Sequence, residues 1–385
     1  MIEPTLSLDE AAGRTWDAAV VGAGPAGAMA ARELARQGAS VLLVERSRFP
    51  RYKVCGGCLN PRSLCLLQKS GLGKLTDELG AIPLSKLRLG ARGSVADVRL
   101  PRGAGVSREA FDTALVRATI AAGGAFLPGT TGTLLPADGR PLRQLRLRHA
   151  NRDHTIATKV VLAAVGLGSR LEGHPEHSEP AWEVGSRIGA GVMIPAGTPG
   201  YEAGTIYMAC AHEGYVGQVV VEDGRIDAAA ALDPSAVKSV GGIGELASRI
   251  LEQAGFPTHP DLAALPWKGT PHLTRQAPRL GGERLFTLGD AAGYIEPFTG
   301  EGMAWALAGA AAVAPLALRT IREGWDESLL TRWRATYRKE VTRRQGVCRL
   351  TAGLLRRPFT TQLLVRTLGI APWISRPFLS FMYRA

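Results

Sequence analysis

The spacing of apolar and polar positions changes several times along this chain, and each change predicts an element. Ala18–Val21 is an unbroken apolar run with the composition of a buried parallel strand. A glycine-rich turn follows, then a helical pattern to about Gln37 with Gly38 as its stop. A second apolar run, Ser40 to Val44, ends on Glu45. Farther on, "SREAFDTALVRATIAAGGAFL" reads as an amphipathic helix and then a strand, and Lys159 to Ala164 as a buried strand entering a turn at Gly166 and Gly168. Between about 180 and 233 the segments "EVGSRIGAG", "GTIYMACA", "YVGQVVVE" and "RIDAAAAL" alternate with turn residues and read as strands. Leu285 to Leu288 predicts another buried strand. The run "MAWALAGAAAVAPLAL", Met303 to Leu318, is 16 residues long and interrupted by Pro315. That is shorter than the roughly 20 residues a bilayer span needs, so it predicts a buried helix.

The pattern predicts an α/β protein with a discontinuous strand–helix–strand domain at 1–175 and 270–325. A β-rich substrate domain occupies 176–269, and a helical region 326–385.

The glycines between the first two strands add chemistry. Gly22 permits a tight turn, Gly24 lets backbone approach a pyrophosphate, and Gly27 lets the helix pack on the strand, with Ala23, Pro25 and Ala26 filling the turn. Glu45, at the end of the second strand, is placed to accept hydrogen bonds from ribose hydroxyls. Strand, glycines, helix, strand and acid in that order predict a dinucleotide site, with NAD and FAD equally compatible. A second cluster lies in "ERLFTLGDAAGYIEPFTGEGMAWALAGAAA". Gly289 and Asp290 end a strand, Pro297 lies in a loop, and Gly300, Glu301, Gly302 and Met303 open the apolar helix, whose first amides face negative charge. Arg108, at a helix start, reads by itself as a solvated surface residue.

Composition narrows the class. A chain of 385 residues with 45% hydrophobic content buries a sizeable core. Five scattered cysteines suit a reducing compartment, and Glu3, Asp9 and Glu10 have the wrong sign for a secretory leader, so a cytoplasmic location is expected. The net charge of +12 is concentrated at the end, where residues 319–385 hold 14 Lys/Arg against four Asp/Glu. Arginines there alternate with apolar and aromatic groups, which suits peripheral contact with an anionic membrane. An appendage packed on the catalytic part with its arginines in water is the alternative. Nucleic acid is not expected, because no recognised module accompanies the charge.

The segment "FPRYKVCGGCLNPRSL", 49–64, carries Cys55 and Cys58 around Gly56-Gly57. A zinc site needs two further ligands at suitable spacing, which the sequence does not supply, so no metal is expected. A disulfide reductase needs a second nucleotide motif. The remaining reading is a turn at a cofactor, in which Gly56 lets the backbone approach and Cys55 faces the reaction site. Lys53 and Arg51 beside it favour a lowered thiol pKa. Cys55 and Cys58 are the catalytic candidates, with a proton-donating and a merely pocket-forming Cys55 both open.

Together these motifs resemble the FAD-dependent oxidoreductases of the para-hydroxybenzoate-hydroxylase-like, Rossmann-like fold, over about residues 16–320. The 49–64 segment followed by "GDAAGYIEPFTGEGMAWAL" is most similar to the geranylgeranyl reductase family. That resemblance implies FAD contacts at Gly22, Gly24, Gly27, Glu45, Arg46, Lys53, Arg108, Gly166, Asp290, Gly300, Gly302 and Met303, with Cys55 and Gly56 beside the isoalloxazine. It implies reduction of double bonds in a lipophilic, polyprenyl-type substrate by hydride from the flavin, recharged by NAD(P)H or a reduced electron-transfer protein. An FAD-dependent monooxygenase acting on an aromatic or polyketide-like compound is the alternative. Hydroxylases of this kind usually carry Asp-Gly where this chain has Val165-Gly166, and halogenases carry a Trp-x-Trp-x-Ile segment, whereas Trp182 stands alone in "EPAWEVG". "GYVGQVVVE" at 214–222 only partly echoes the aromatic segment of the geranylgeranyl reductases.

Overall fold

Small and branched apolar side chains on both faces of Ala18–Val21 require that strand to be covered on both sides. In the computed structural model, which describes residues 1–137, 139–173, 181–276 and 279–383, Thr15–Val21 lies inside an eight-stranded sheet. It runs parallel to Val41–Glu45, with Val20 opposite Leu43, and to Arg152–Ala163, with Val20 opposite Leu162. Ala125–Pro128 extends the sheet beyond Val41–Glu45, and Leu285–Thr287 lies parallel to the far side of Arg152–Ala163, with Leu285 opposite Val161. The strand expected from Lys159 starts at Arg152, because its polar first half pairs antiparallel with Arg143–His149. Alternating burial in that half left no continuous apolar run to read.

The helix after the first strand, Pro25–Arg36, packs against Gly302–Glu323. Both are rich in alanine, so their axes approach closely, and Ala28, Ala31, Leu307, Ala310 and Val313 are buried. Among the described residues Gly302–Glu323 is the one helix long and apolar enough to cross a membrane, and most of its apolar stretch is buried inside the fold. The helix continues through Pro315, where the ring removes one backbone donor without ending it.

A second eight-stranded sheet contains the predicted run of strands as Ile188–Ile194, Thr205–Ala211, Gly214–Val220 and Ile226–Leu232. The helix Ile243–Ala254 buries Leu246, Ile250 and Leu251 in the core cluster of this sheet. Three of the sheet's strands come from before residue 106: Cys58–Leu59, Ile82–Ala91 and Ser94–Gly105, the second running parallel to Thr205–Ala211. A division at residue 175 therefore does not follow the sheets. The polar Lys, Arg and Asp positions in 82–105 conceal a long hairpin whose partner strand lies more than 100 residues later.

The end of the chain is helical. Glu327–Tyr337 and Arg343–Leu355 are joined through a π turn, and Pro358–Ile370 and Ser375–Tyr383 follow. Pro358–Ile370 lies across the hairpin of Ile82–Ala91 and Ser94–Gly105, burying Val365 and Leu368 there.

Candidate active site

Two of the three glycines after the first strand are fixed by packing. At Gly22, φ is +104° and a Cβ would lie 2.2 Å from the Ala164 carbonyl oxygen; at Gly27 a Cβ would meet the Gly22 carbonyl oxygen at 1.8 Å. Gly24 differs. A Cβ there would meet nothing closer than the guanidinium groups of Arg108 and Arg51, at 3.7 and 3.8 Å. Its missing side chain leaves free space beside two cations, which suits a pyrophosphate. Helix Pro25–Arg36 begins there with no side-chain cap, so its first amides remain available for an anion. Glu45 is held by the Ala23 and Ser47 amides, which donate to its Oε2 and Oε1 at 2.9 and 3.0 Å, and its carboxylate borders a cavity of about 660 Å³.

Gly24, Pro25 and Ala26 form one wall of that cavity, with Arg46 and Glu45 at the adjoining strand end. Gly22, Ala23 and Gly27 lie behind this wall and shape it. The surface reading of Arg108 is corrected by the structure: its side chain is 12% exposed and borders the cavity. Its Nε and Nη2 donate to Asp112 at 2.7 and 2.8 Å, and Arg51 approaches the same carboxylate at 3.2 Å. Burial opposes the Arg108 charge, and Asp112 outweighs it, holding the guanidinium above its ordinary range. One fully buried carboxylate thus places two cations beside the glycine turn.

The second glycine cluster reaches the same cavity. Gly289 has φ +63°, and a Cβ there would lie 2.8 Å from Ala26, so this strand end touches the first helix turn. Asp290 lines the cavity, its pKa raised by burial against the pull of Lys53, Arg108 and Arg275. Lys53, also on the wall, is shifted down by burial and by Arg108. Gly166 borders the cavity, as do Pro297, Gly300, Gly302 and Met303 at the start of the core helix. Glu301 does not: its fully buried side chain accepts a 2.7 Å hydrogen bond from Asn60 Nδ2. The expected cofactor contact at Glu301 is replaced by an internal bond that ties the core helix to the segment after Cys58.

Cys55 and Gly56 lie on the cavity wall, and Cys58 borders it with Sγ 3.0 Å from the Gly56 carbonyl oxygen, which closes the turn. The expected lowering of the thiol pKa is corrected. Burial raises both thiols, and for Cys55 it overcomes the opposing influence of Arg108. Gly57 has φ +61°, and a Cβ there would lie 2.8 Å from Asp227 Oδ2. Asp227 is buried, and burial raises its pKa well above the ordinary carboxylate range. It is a residue the sequence reading missed, although an acid inside "RIDAAAAL" is itself a signal. Asp112 was missed too, despite standing four residues after Arg108, one helical turn along.

The side of the same cavity formed by the second sheet is largely apolar. Leu84, Leu87 and Met208 line it from the second sheet, and Tyr215 stacks edge-on against Phe298 at 5.0 Å between ring centres. Glycine cradle, helix N-terminus, strand-end acid and partly buried cations all fit an adenine dinucleotide, and the apolar wall faces the same cavity.

Comparison with known proteins agrees with this geometry. Residues 15–345 match the family described as FAD binding domain. The menaquinone reductase of Mycobacterium tuberculosis is 40% identical over 113 residues, 29% of this chain and 25% of that protein. The geranylgeranyl diphosphate reductase of Rhodobacter capsulatus is 30% identical over 159 residues, 40% of this chain and 39% of that protein. The chain thus covers only about a quarter to two fifths of these curated relatives' lengths. Among solved structures, p-nitrophenol 4-monooxygenase PnpA of Pseudomonas putida superposes with a TM-score of 0.75 at 15% identity, covering 95% of this chain and 97% of that one. The flavin-dependent brominase Bmp2 gives 0.76 at 15% identity, covering 96% and 94%. Likenesses at such identity establish the fold.

Proposed function

From the premise that this chain belongs to the FAD-binding-domain family of flavin-dependent oxidoreductases, we propose that it reduces carbon–carbon double bonds of a lipophilic, polyprenyl-type substrate. The observation that carries this reading is the apolar wall of the cavity that also holds the cysteine turn, lined by Leu84, Leu87, Met208, Tyr215 and Phe298. An apolar chain gains from leaving water there, by about 25 cal/mol for each Å² buried. Relatives named for reducing menaquinone, geranylgeranyl diphosphate and digeranylgeranylglycerophospholipid support the same class.

Bound FAD supplies the hydride. The chain's residues do the rest. The uncapped helix at Gly24, with Arg51 and Arg108 fixed by Asp112, would hold the pyrophosphate, and Glu45 would hold ribose. The apolar wall orients the alkene and excludes water, and Cys55, kept protonated at neutral pH by burial, offers its Sγ proton to the second carbon. Cys58 holds the turn through Gly56. NAD(P)H or a reduced electron-transfer protein recharges the enzyme.

The test is a single-turnover experiment on FAD-loaded protein, reduced without oxygen and mixed with a geranylgeranyl-bearing lipid. Product heavier by two hydrogens for each bond reduced is the expected result. Oxygen uptake driven by NADPH and stimulated by an aromatic compound, with the lipid unchanged, would defeat the reductase reading in favour of a monooxygenase.

A further inference from the structure

The C-terminal helices turn apolar side chains in two opposite directions. Inward, Val365 and Leu368 seat Pro358–Ile370 on the second sheet. Outward on that same helix, Phe359, Leu363 and Ile370 are 79, 67 and 85% exposed, and successive spacings of four and seven residues put them on one stripe. Leu350 and Leu354 are exposed on Arg343–Leu355, and Trp373, Phe378 and Phe381 on the last segment. An exposed surface of this kind marks an interaction site.

Charge decides what covers it. Residues 341–385 contain eight arginines and no Asp or Glu. Two of the arginines hold the helices in place: Arg349 pairs with Glu183 at 3.0 Å, and Arg356 with Glu296 at 3.0 Å. Glu296 is buried and also takes Arg187, which anchors the helix end to the interior. Arg343, Arg357 and Arg376 are exposed, and among the described residues no acid pairs with them. A second copy docked through the same face would bring these cations against their own equivalents. Nucleic acid would match the charge and leave the leucines and isoleucine without apolar partners. Exposed arginines interleaved with aromatic and aliphatic side chains fit an anionic lipid surface, where the apolar groups enter the acyl boundary and the cations meet headgroups.

We propose that this face docks on an anionic bilayer and that substrate enters the cavity from the membrane side. The second part rests on the lipid-reductase reading. Phe378, Leu379 and Met382 of the last helix, with Thr351 of Arg343–Leu355, form part of the wall of the cavity that holds the cysteine turn. Two of the three helices that meet lipid, Arg343–Leu355 and Ser375–Tyr383, thus also border the site, so an apolar substrate need not cross water.

The test uses the full FAD-loaded chain and vesicles of phosphatidylcholine with or without phosphatidylglycerol. Co-sedimentation with the anionic vesicles only is expected, weakening about fivefold for each of Arg343→Gln, Arg357→Gln and Arg376→Gln. The double variant Leu363→Asn/Ile370→Asn is expected to release the protein, with its flavin spectrum and melting temperature unchanged. Turnover of a vesicle-embedded lipid then falls in these variants, while turnover of the same lipid dispersed in detergent does not. Absence of vesicle binding overturns the proposal. So does binding that every variant retains, self-association that the variants abolish, or salt-sensitive binding to duplex DNA in place of vesicles. Vesicle binding without turnover in either medium leaves the docking face standing and refutes the lipid-reductase reading; detergent turnover without vesicle binding does the reverse.

Discussion

Asp112 shows how much one buried side chain can organise. It is fully buried and shares its carboxylate between Arg108 and Arg51. Asp112→Asn takes the carboxylate from Arg108 and leaves Arg51 with Glu45 alone, at 3.7 Å, and breaking a buried pair of this kind costs about 3–5 kcal/mol. Denaturant unfolding of the FAD-free variant is expected to show that loss, together with weaker FAD binding on titration. Unchanged unfolding and affinity would mean that other groups hold the arginines. Cys55 makes a sharper chemical prediction. If its Sγ gives the proton, Cys55→Ala lowers kcat by about a hundredfold or more while the flavin spectrum is unchanged. Burial raises the thiol above its ordinary 9.0, so the wild-type rate falls only at pH above that value, where the proton is lost. Cys55→Ser retains part of the rate without that alkaline fall. Wild-type kcat in the alanine variant would reduce Cys55 to a pocket wall.

At the scale of elements, the start of the core helix Gly302–Glu323 carries a pH dependence. Glu301 is fully buried there, and burial pushes its pKa from 4.5 up to about 7. Between those values the folded chain keeps a proton that the unfolded chain releases. Stability therefore falls as pH rises through that window, by up to about 3 kcal/mol, and levels off above it. Glu301→Gln preserves an oxygen for Asn60 and removes the ionisation, so its melting temperature is expected to exceed the parent's at pH 8 and to match it near pH 4. Parallel melting curves for the two proteins across that range would refute the assignment. Glu301 also shows where sequence reading stops. The strand–glycine–helix units were legible because parallel strands and their turns are encoded within about 30 residues. Side-chain direction at a helix start is set by what packs there, here Asn60 from 241 positions earlier in the chain. The hairpin of Ile82–Ala91 and Ser94–Gly105 was hidden for a related reason: its charged outer positions mask the period, and its sheet partner Thr205–Ala211 is distant in sequence. Gly57 follows the same logic, since the acid that excludes a side chain there comes from Ile226–Leu232.

For the whole molecule, the decisive feature is that Leu285–Thr287 pairs with Arg152–Ala163 only after the chain has completed most of the second sheet. During synthesis on the ribosome, a nascent chain that has reached the later strands of the second sheet still presents the Val161–Ala163 end of Arg152–Ala163 to solvent, the rest of the same edge being paired with Arg143–His149. Asp290 and the uncapped start of the core helix are not yet made, so FAD meets only half of its cradle. Capture of the flavin is therefore expected late in biogenesis, once the segment from Gly289 to Met303 has been made.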